Sequence, residues 1–300
     1  MSGSLFCFGY GYTCDHLGQE LTARGGWSVA GTTRDRDRRN SLRAHGIKAY
    51  LFDPQTPLGD PTFFLQDVTH LLISVPPDDS GDPALSVHGL DIAYMPNLKW
   101  LGYLSSTSVY GNRYGGWVNE TSAEHPDSKR GSRRLKAERQ WQELAAEYNL
   151  PLHIFRLAGI YGPGRSALDS VRAGTARRID KPGHAFNRVH IHDIIQVLIA
   201  SMCNPAPGNI YNICDDEAAP SHEMISFACR LLHIPPPPMI PYEEADLAPI
   251  TRSFYEDNKR IENSKIKEQL GIKLKYPNHR LGLQACLEDE IADLQQTQLG

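Results

Sequence analysis

The chain has 300 residues, 40% of them hydrophobic and 22% charged, with a formal net charge of −4 at pH 7. That length is enough for one large core or two apposed domains, and the mild acidity argues against a nucleic-acid or membrane-surface partner. The six cysteines (Cys7, Cys14, Cys203, Cys214, Cys229 and Cys286) include no CxxC pair, so reduced intracellular thiols are expected rather than a zinc or disulfide framework.

Short apolar runs alternate with amphipathic stretches, the pattern of a parallel sheet with helices on both faces. Leu5–Phe8 reads as the first strand, and the Gly-rich segment after it opens a helix ending near Ala23. Trp27–Thr33 is the second strand, Asp37–His45 the second helix and Lys48–Phe52 the third strand. His70–Val75 and Trp100–Leu104 supply the fourth and fifth, and the amphipathic segment Arg133–Tyr148 feeds a sixth, Leu152–Leu157. The second half is less regular. Arg188–Ile191 and Asn209–Ile213 read as short strands on either side of helix Asp193–Met202. Helices at His222–Leu232, Asn263–Leu270 and Leu281–Leu294 follow, with Ile234-Pro-Pro-Pro-Pro-Met as a stiff connector among them. The N-terminus lacks the charged and apolar regions of a signal peptide, and the best apolar run, Ile194–Cys203, is too short to span a bilayer. A cytoplasmic location is expected.

Gly9-Tyr-Gly11-Tyr-Thr-Cys14 follows the first strand and opens a helix. The first glycine permits a tight turn and the second lets the backbone approach a pyrophosphate, to which the helix start offers N–H groups and a positive dipole end. The usual third glycine, which allows close helix–strand packing, is here the small residue Cys14. The second strand ends in Gly31-Thr-Thr-Arg34-Asp-Arg36, where a site for NAD normally carries an acidic residue. Thr32, Thr33 and Arg34 instead suit a 2′-phosphate, which favours NADP(H) over NAD(H). Asp35 remains able to serve NAD, and Arg34 and Arg36 are otherwise solvated charges. Asp53, ending the third strand, is a candidate to meet the adenine.

Leu104-Ser-Ser-Thr-Ser-Val-Tyr-Gly111 resembles the strand-five signature of extended short-chain dehydrogenases/reductases, the NAD-dependent epimerase/dehydratase group. Phe155-Arg-Leu-Ala-Gly-Ile-Tyr-Gly-Pro-Gly164, Arg188-Val-His-Ile-His-Asp-Ile194, Tyr211-Asn-Ile-Cys-Asp-Asp216 and Ser264-Lys-Ile-Lys-Glu-Gln-Leu-Gly271 are similar to later segments of that group, in order. Within it the chain looks most like an atypical bacterial branch, through Cys7-Phe-Gly-Tyr-Gly-Tyr, Ser74-Val-Pro-Pro77 and Ser253-Phe-Tyr-Glu-Asp-Asn-Lys-Arg260. The resemblance implies an α/β fold: a Rossmann-type doubly wound parallel sheet over residues 1–165, completed by 186–213, and a smaller substrate domain over 166–300. The cofactor residues it implies are Gly9, Gly11, Tyr12, Thr13, Cys14, Thr33, Arg34, Asp53, Ser74, Val75, Pro76, Ser105 and Ala158. A small-molecule substrate is implied as well, and homodimers are common in the wider group.

The group's chemistry needs a Ser or Thr and a Tyr-x-x-x-Lys pair, in which the lysine lowers the tyrosine pKa and holds the nicotinamide ribose. Ser106 falls at the first position. Counting back from Ala137-Glu138 puts Arg130 where the tyrosine belongs and Arg134 where the lysine belongs. A guanidinium does not deprotonate in proteins, so Arg130 cannot shuttle a proton, whereas Arg134 can still act as a fixed cation. The literal match Tyr255-Glu-Asp-Asn-Lys259 lies well past the sheet and suits a structural role or a substrate contact. Tyr110, Tyr161 and His190 are candidates for acid or base, the last two on turns, with packing as the plainer role of each. Arg165, Lys181 and Arg188 form either a cationic set for a phosphorylated or nucleotide-linked substrate or solvated charges. Two readings stay open: an NAD(P)-dependent oxidoreductase or epimerase with altered acid/base residues, and a non-catalytic NAD(P)(H)-binding sensor or interaction protein. No metal is expected.

Overall fold

The computed structural model describes residues 2–299. Strand β1 (Gly3–Phe8) leads into α1 (Tyr12–Arg24), β2 (Trp27–Thr33), α2 (Arg36–Ala44) and β3 (Lys48–Leu51). Then come the short α3 (Pro61–Leu65), β4 (His70–Ile73), α4 (Pro83–Ala93), β5 (Trp100–Ser106) and β6 (Trp117–Val118). The long α5 (Lys129–Tyr148) precedes β7 (Leu152–Leu157), β8 (Gly159–Tyr161), α6 (Ala167–Arg172) and β9 (Arg178–Asp180). After β10 (Arg188–His190), α7 (Ile191–Cys203) and β11 (Ile210–Ile213) come α8 (Ser221–Leu231), β12 (Met239–Pro241) and α9 (Pro249–Glu256). The chain closes with β13 (Arg260–Ile261), α10 (Ser264–Leu270) and α11 (His279–Leu299).

Seven parallel strands form one sheet in the order β3-β2-β1-β4-β5-β7-β11, the Rossmann order. Its inner strands read as continuous apolar runs because helices cover both faces. Leu5, Phe6, Cys7 and Phe8 are all buried, with Phe6 opposite Ala30 on one side and Leu71 on the other. Phe8, Phe52, Leu71, Ile73, Tyr103 and Trp141 belong to one core cluster. The chain winds outward from β1 to β3 and then restarts at β4 on the opposite side of β1. That reversal opens a crevice at the carboxyl ends of β1 and β4, where doubly wound sheets bind ligands.

The chain divides into two compact units: the first runs through Val109 and adds Lys129–Arg156 and Ile195–Tyr211. Within it, Glu138 of α5 accepts from the Arg156 guanidinium on β7 at 2.7 Å, both side chains 1% exposed. The second unit holds Tyr110–Ser128, Leu157–Ile194 and the chain from Asn212 onward. It contains three parallel two-stranded pairs, β8 with β10, β9 with β12 and β6 with β13. Beyond the proline run, Met239–Pro241 pairs with β9, so the stiff connector delivers a strand. Tyr161 and His190, expected on turns, lie opposite each other on β8 and β10. Three-residue strands are too short to show the alternation that announces longer ones. Among the described residues no helix is long and apolar enough to cross a membrane.

Candidate functional site

Gly9 follows β1 with φ +87°, and a Cβ there would press within 3.0 Å of the Val75 backbone nitrogen. Thr32 shapes the turn: its hydroxyl accepts from Gly9 N–H at 2.9 Å and its carbonyl from Tyr10 N–H at 2.6 Å. Buried in this way, Thr32 braces the loop at the edge of the adjoining cavity. Gly11 is the N-cap of α1, and no side chain caps the helix. A Cβ on Gly11 would meet nothing within 4 Å. The first turn, Tyr12, Thr13 and Cys14, carries the positive dipole end of the helix, although none of the three lines the adjoining cavity and Thr13 and Cys14 are buried. Cys14 packs beside Cys7, whose thiol burial pushes up. The close helix–strand approach expected at Cys14 occurs one turn later, at Gly18. A Cβ on Gly18 would collide with the Tyr10 hydroxyl and lie 3.2 Å from Val29. One extra turn separates the phosphate end of α1 from its tightest contact with the sheet.

A cavity of about 600 Å³ opens at this turn and brings together Gly9, Gly11, Thr33, Arg34 and Asp53 with Ser74, Val75 and Pro76. Asp35 caps α2 by accepting from Arg38 N–H at 2.7 Å, so its carboxylate is engaged in the helix. Arg34 is exposed on the cavity and pairs with no described residue. Ser105 and Ala158 are buried and do not line the cavity; the Ser105 hydroxyl has no hydrogen-bond partner among the described residues. The loop carrying Pro76 and Asp78 is held from both ends. Asp79 accepts from Arg133 at 2.8 Å and meets Lys129 at 3.1 Å, and these cations hold its carboxyl well below the usual range. Asp82 caps α4 through Ala84 and Leu85 N–H, and burial pushes its carboxyl up to about 6.

At the carboxyl end of β5, Ser106 Oγ accepts from Ser108 N–H at 3.2 Å. Arg134 donates to the Leu104 carbonyl at 2.6 Å and to the Tyr103 hydroxyl at 3.3 Å, which fixes its cation at that strand end. Arg130 is exposed at the start of α5. Tyr110 is fully buried and donates to Asn212 Oδ1 at 2.7 Å, which makes it a packing residue.

In the second unit a cavity of about 830 Å³ is lined by Tyr161, Arg165 and Arg188, together with Arg177, Ser221 and Tyr255. His190 does not line it: the ring is fully buried, 3.5 Å from Cys286 Sγ and 4.1 Å from the Tyr276 ring centroid. Tyr161 donates to the Asn278 carbonyl at 3.5 Å, and burial raises its pKa. Lys181 is spent elsewhere, donating to the Tyr255 carbonyl at 2.6 Å and lying 4.2 Å above the Tyr242 ring. Lys259 pairs with Asp257, so Tyr255 and Lys259 do not act as a pair. Sequence reasoning missed Arg177 and Ser221, which carry no motif. Among the described residues no group of three or more His, Cys, Asp or Glu could hold a metal ion.

No family model matches the chain. It is 31% identical to protein YeeZ of Escherichia coli K12 over 287 residues, covering 90% of this chain and 95% of that protein. A functionally unknown conserved protein from Silicibacter pomeroyi has a structure with 47% identity and a TM-score of 0.89, over 96% of this chain and 99% of its own. The UDP-glucuronic acid 4-epimerase from Bacillus cereus, solved in complex with NAD, superposes with a TM-score of 0.74 at 17% identity, over 93% and 96% of the two chains. The last match shows the fold alone, that of NAD-dependent epimerases and dehydratases.

Proposed function

The chain belongs to the YeeZ family, and from that premise we propose an NAD(P)(H)-dependent oxidoreductase or epimerase acting on a small polyhydroxylated or nucleotide-linked substrate. The observation that carries this reading is the uncapped start of α1 above an open Gly11 face, beside a cavity of about 600 Å³. These residues fit a dinucleotide. The first turn of α1 takes the pyrophosphate, Asp53 meets the adenine, and Ser74–Pro76 flank the ligand from β4. Arg34, with Thr33, takes a 2′-phosphate, so NADP(H) is the favoured form. Asp35, spent on its helix cap, supports this over NAD(H).

Residues 1–165 and 186–213 form the dinucleotide domain in this reading, and 166–300 hold the substrate. The bound nicotinamide supplies a hydride donor or acceptor. Ser106 orients a substrate carbonyl or hydroxyl, and Arg134 provides a fixed cation at the end of β5. Arg130 in the tyrosine position adds charge and moves no proton. The cysteines are all free, as suits the cytoplasm, and a homodimer is the assembly to look for.

The two arginines favour a second reading, a non-catalytic sensor or interaction protein that binds NAD(P)(H) on the same fold. Calorimetric titration with NADPH, NADP, NADH and NAD tests the common ground. Saturable binding that favours the phosphorylated forms is expected, and no binding by any of the four sinks both readings. NADPH consumption across a panel of sugar and nucleotide-linked carbonyl compounds then separates enzyme from sensor.

A further inference from the structure

Arg188 is only 8% exposed, yet it lines the cavity of the second unit. Its Nη1 donates to the Ala219 carbonyl at 2.8 Å and the Phe186 carbonyl at 3.2 Å. Its Nε and Nη2 make no hydrogen bond with any described residue. Ala219 stands two residues before α8, so the guanidinium is moored at the start of that helix. No side chain caps α8. Ser221, Met224 and Ile225 from its first two turns face the cavity, and the Ser221 hydroxyl shares a 2.5 Å hydrogen bond with Tyr255 Oη. Burial pushes the carboxyl of Asp215, the acid beside Arg188, up to about 8, so at neutral pH it leaves the guanidinium charge largely uncompensated. Ile179, Phe186 and Leu247 make apolar walls around this polar corner.

We propose that the corner is a seat for an anionic head group, a carboxylate or a phosphate monoester, on a small ligand with an apolar or aromatic body. The head lies between the Arg188 guanidinium, the first N–H groups of α8 and the Ser221–Tyr255 hydroxyl pair. A buried guanidinium and a helix start both favour negative charge, and two such elements meeting at one carbonyl make a directional site. The apolar walls account for the body of the ligand, which free inorganic phosphate lacks. That this ligand is the substrate rests on the functional reading above; the seat itself lies wholly in the second unit and needs no bound dinucleotide.

The test titrates the full chain, without dinucleotide, with phenyl phosphate, phenylacetate, inorganic phosphate and neutral benzyl alcohol. Saturable one-to-one binding of phenyl phosphate or phenylacetate is expected, and the better of the two names the head group. Arg188→Gln should weaken it at least about tenfold. Because Arg188 is buried, Thr251→Glu serves as a second variant, placing a negative charge on the cavity wall from a half-exposed position of α9. It too should cost at least about tenfold. Anion binding unchanged in Thr251→Glu, benzyl alcohol binding as well as the anions, or no saturable binding by either aromatic anion would overturn the proposal. Gly11→Val separates the two sites, since it should abolish the dinucleotide titration and leave the anion titration intact.

Discussion

Arg156 and Arg188 are both buried arginines, one in each unit, and their surroundings send them to opposite ends. Arg156 is closed by Glu138 in a charge-assisted pair with both side chains 1% exposed. Arg188 has no carboxylate within ion-pair distance among the described residues, its Nη1 is anchored on backbone carbonyls, and it borders a cavity. A buried cation that meets its counter-ion inside the protein serves the fold. One held in place by carbonyls keeps its charge for something that arrives from outside.

Removing the partner of the closed arginine should have the largest effect. Glu138→Ala leaves the buried Arg156 without its carboxylate, and is expected to cost about 3–5 kcal/mol in denaturant unfolding. A loss below about 1 kcal/mol would mean that the pair is not what holds α5 on β7. Gly11→Val comes next and acts on binding alone. Its side chain would project into space that no protein atom occupies, so dinucleotide affinity should fall at least about a hundredfold with the unfolding midpoint unchanged. Retained affinity in the folded variant would refute the phosphate-turn assignment.

The open arginine predicts a pH dependence through its neighbour. Burial raises Asp215 to about 8, with Arg188 opposing the shift and Asp216, Glu217 and Tyr161 nearby. Its folded pKa lies above its unfolded value, so the folded chain holds an extra proton between about pH 4 and about 8. Stability from this group is complete below that window and is lost as the pH rises through it, with a slope of up to about 1.4 kcal/mol per pH unit. Asp215→Asn should flatten that slope in denaturation curves taken across the window; an unchanged slope would show the carboxyl ionised throughout. The smallest effect expected is that of Arg34→Ala, about a tenfold loss for NADP(H) and little for NAD(H) in parallel titrations. Equal losses for both would move the cation's role away from the 2′-phosphate.

The strands of the sheet and the glycine turn after β1 were legible because they rest on local rules. A strand buried on both faces must be a short apolar run, as Phe6-Cys-Phe and Leu71-Leu-Ile are, and a turn held at positive φ against a neighbouring backbone calls for glycine, as at Gly9. The helix α4 went unassigned although Asp82 and Pro83 mark its start, because its apolar residues show little periodicity to follow. Motif spacing points to Cys14 as the packing position, yet the collision that demands a glycine is at Gly18, where Tyr10 folds back across the helix. No spacing rule encodes where a tyrosine folds.

The sequence by itself determined where the glycine turn after β1 lies, and the family resemblance set Arg130 and Arg134 at the positions expected for the tyrosine–lysine pair. Only the tertiary structure decided which side chains are spent. Asp35 goes to a helix cap, Lys181 to a carbonyl and Tyr110 to Asn212, while Arg188, lying over the Phe186 ring, keeps two of its nitrogens without hydrogen-bond partners among the described residues. A side chain's chemistry is fixed by its type, but its availability depends on donors and acceptors contributed by residues far away in the chain. Those partners come into reach only when the chain has folded.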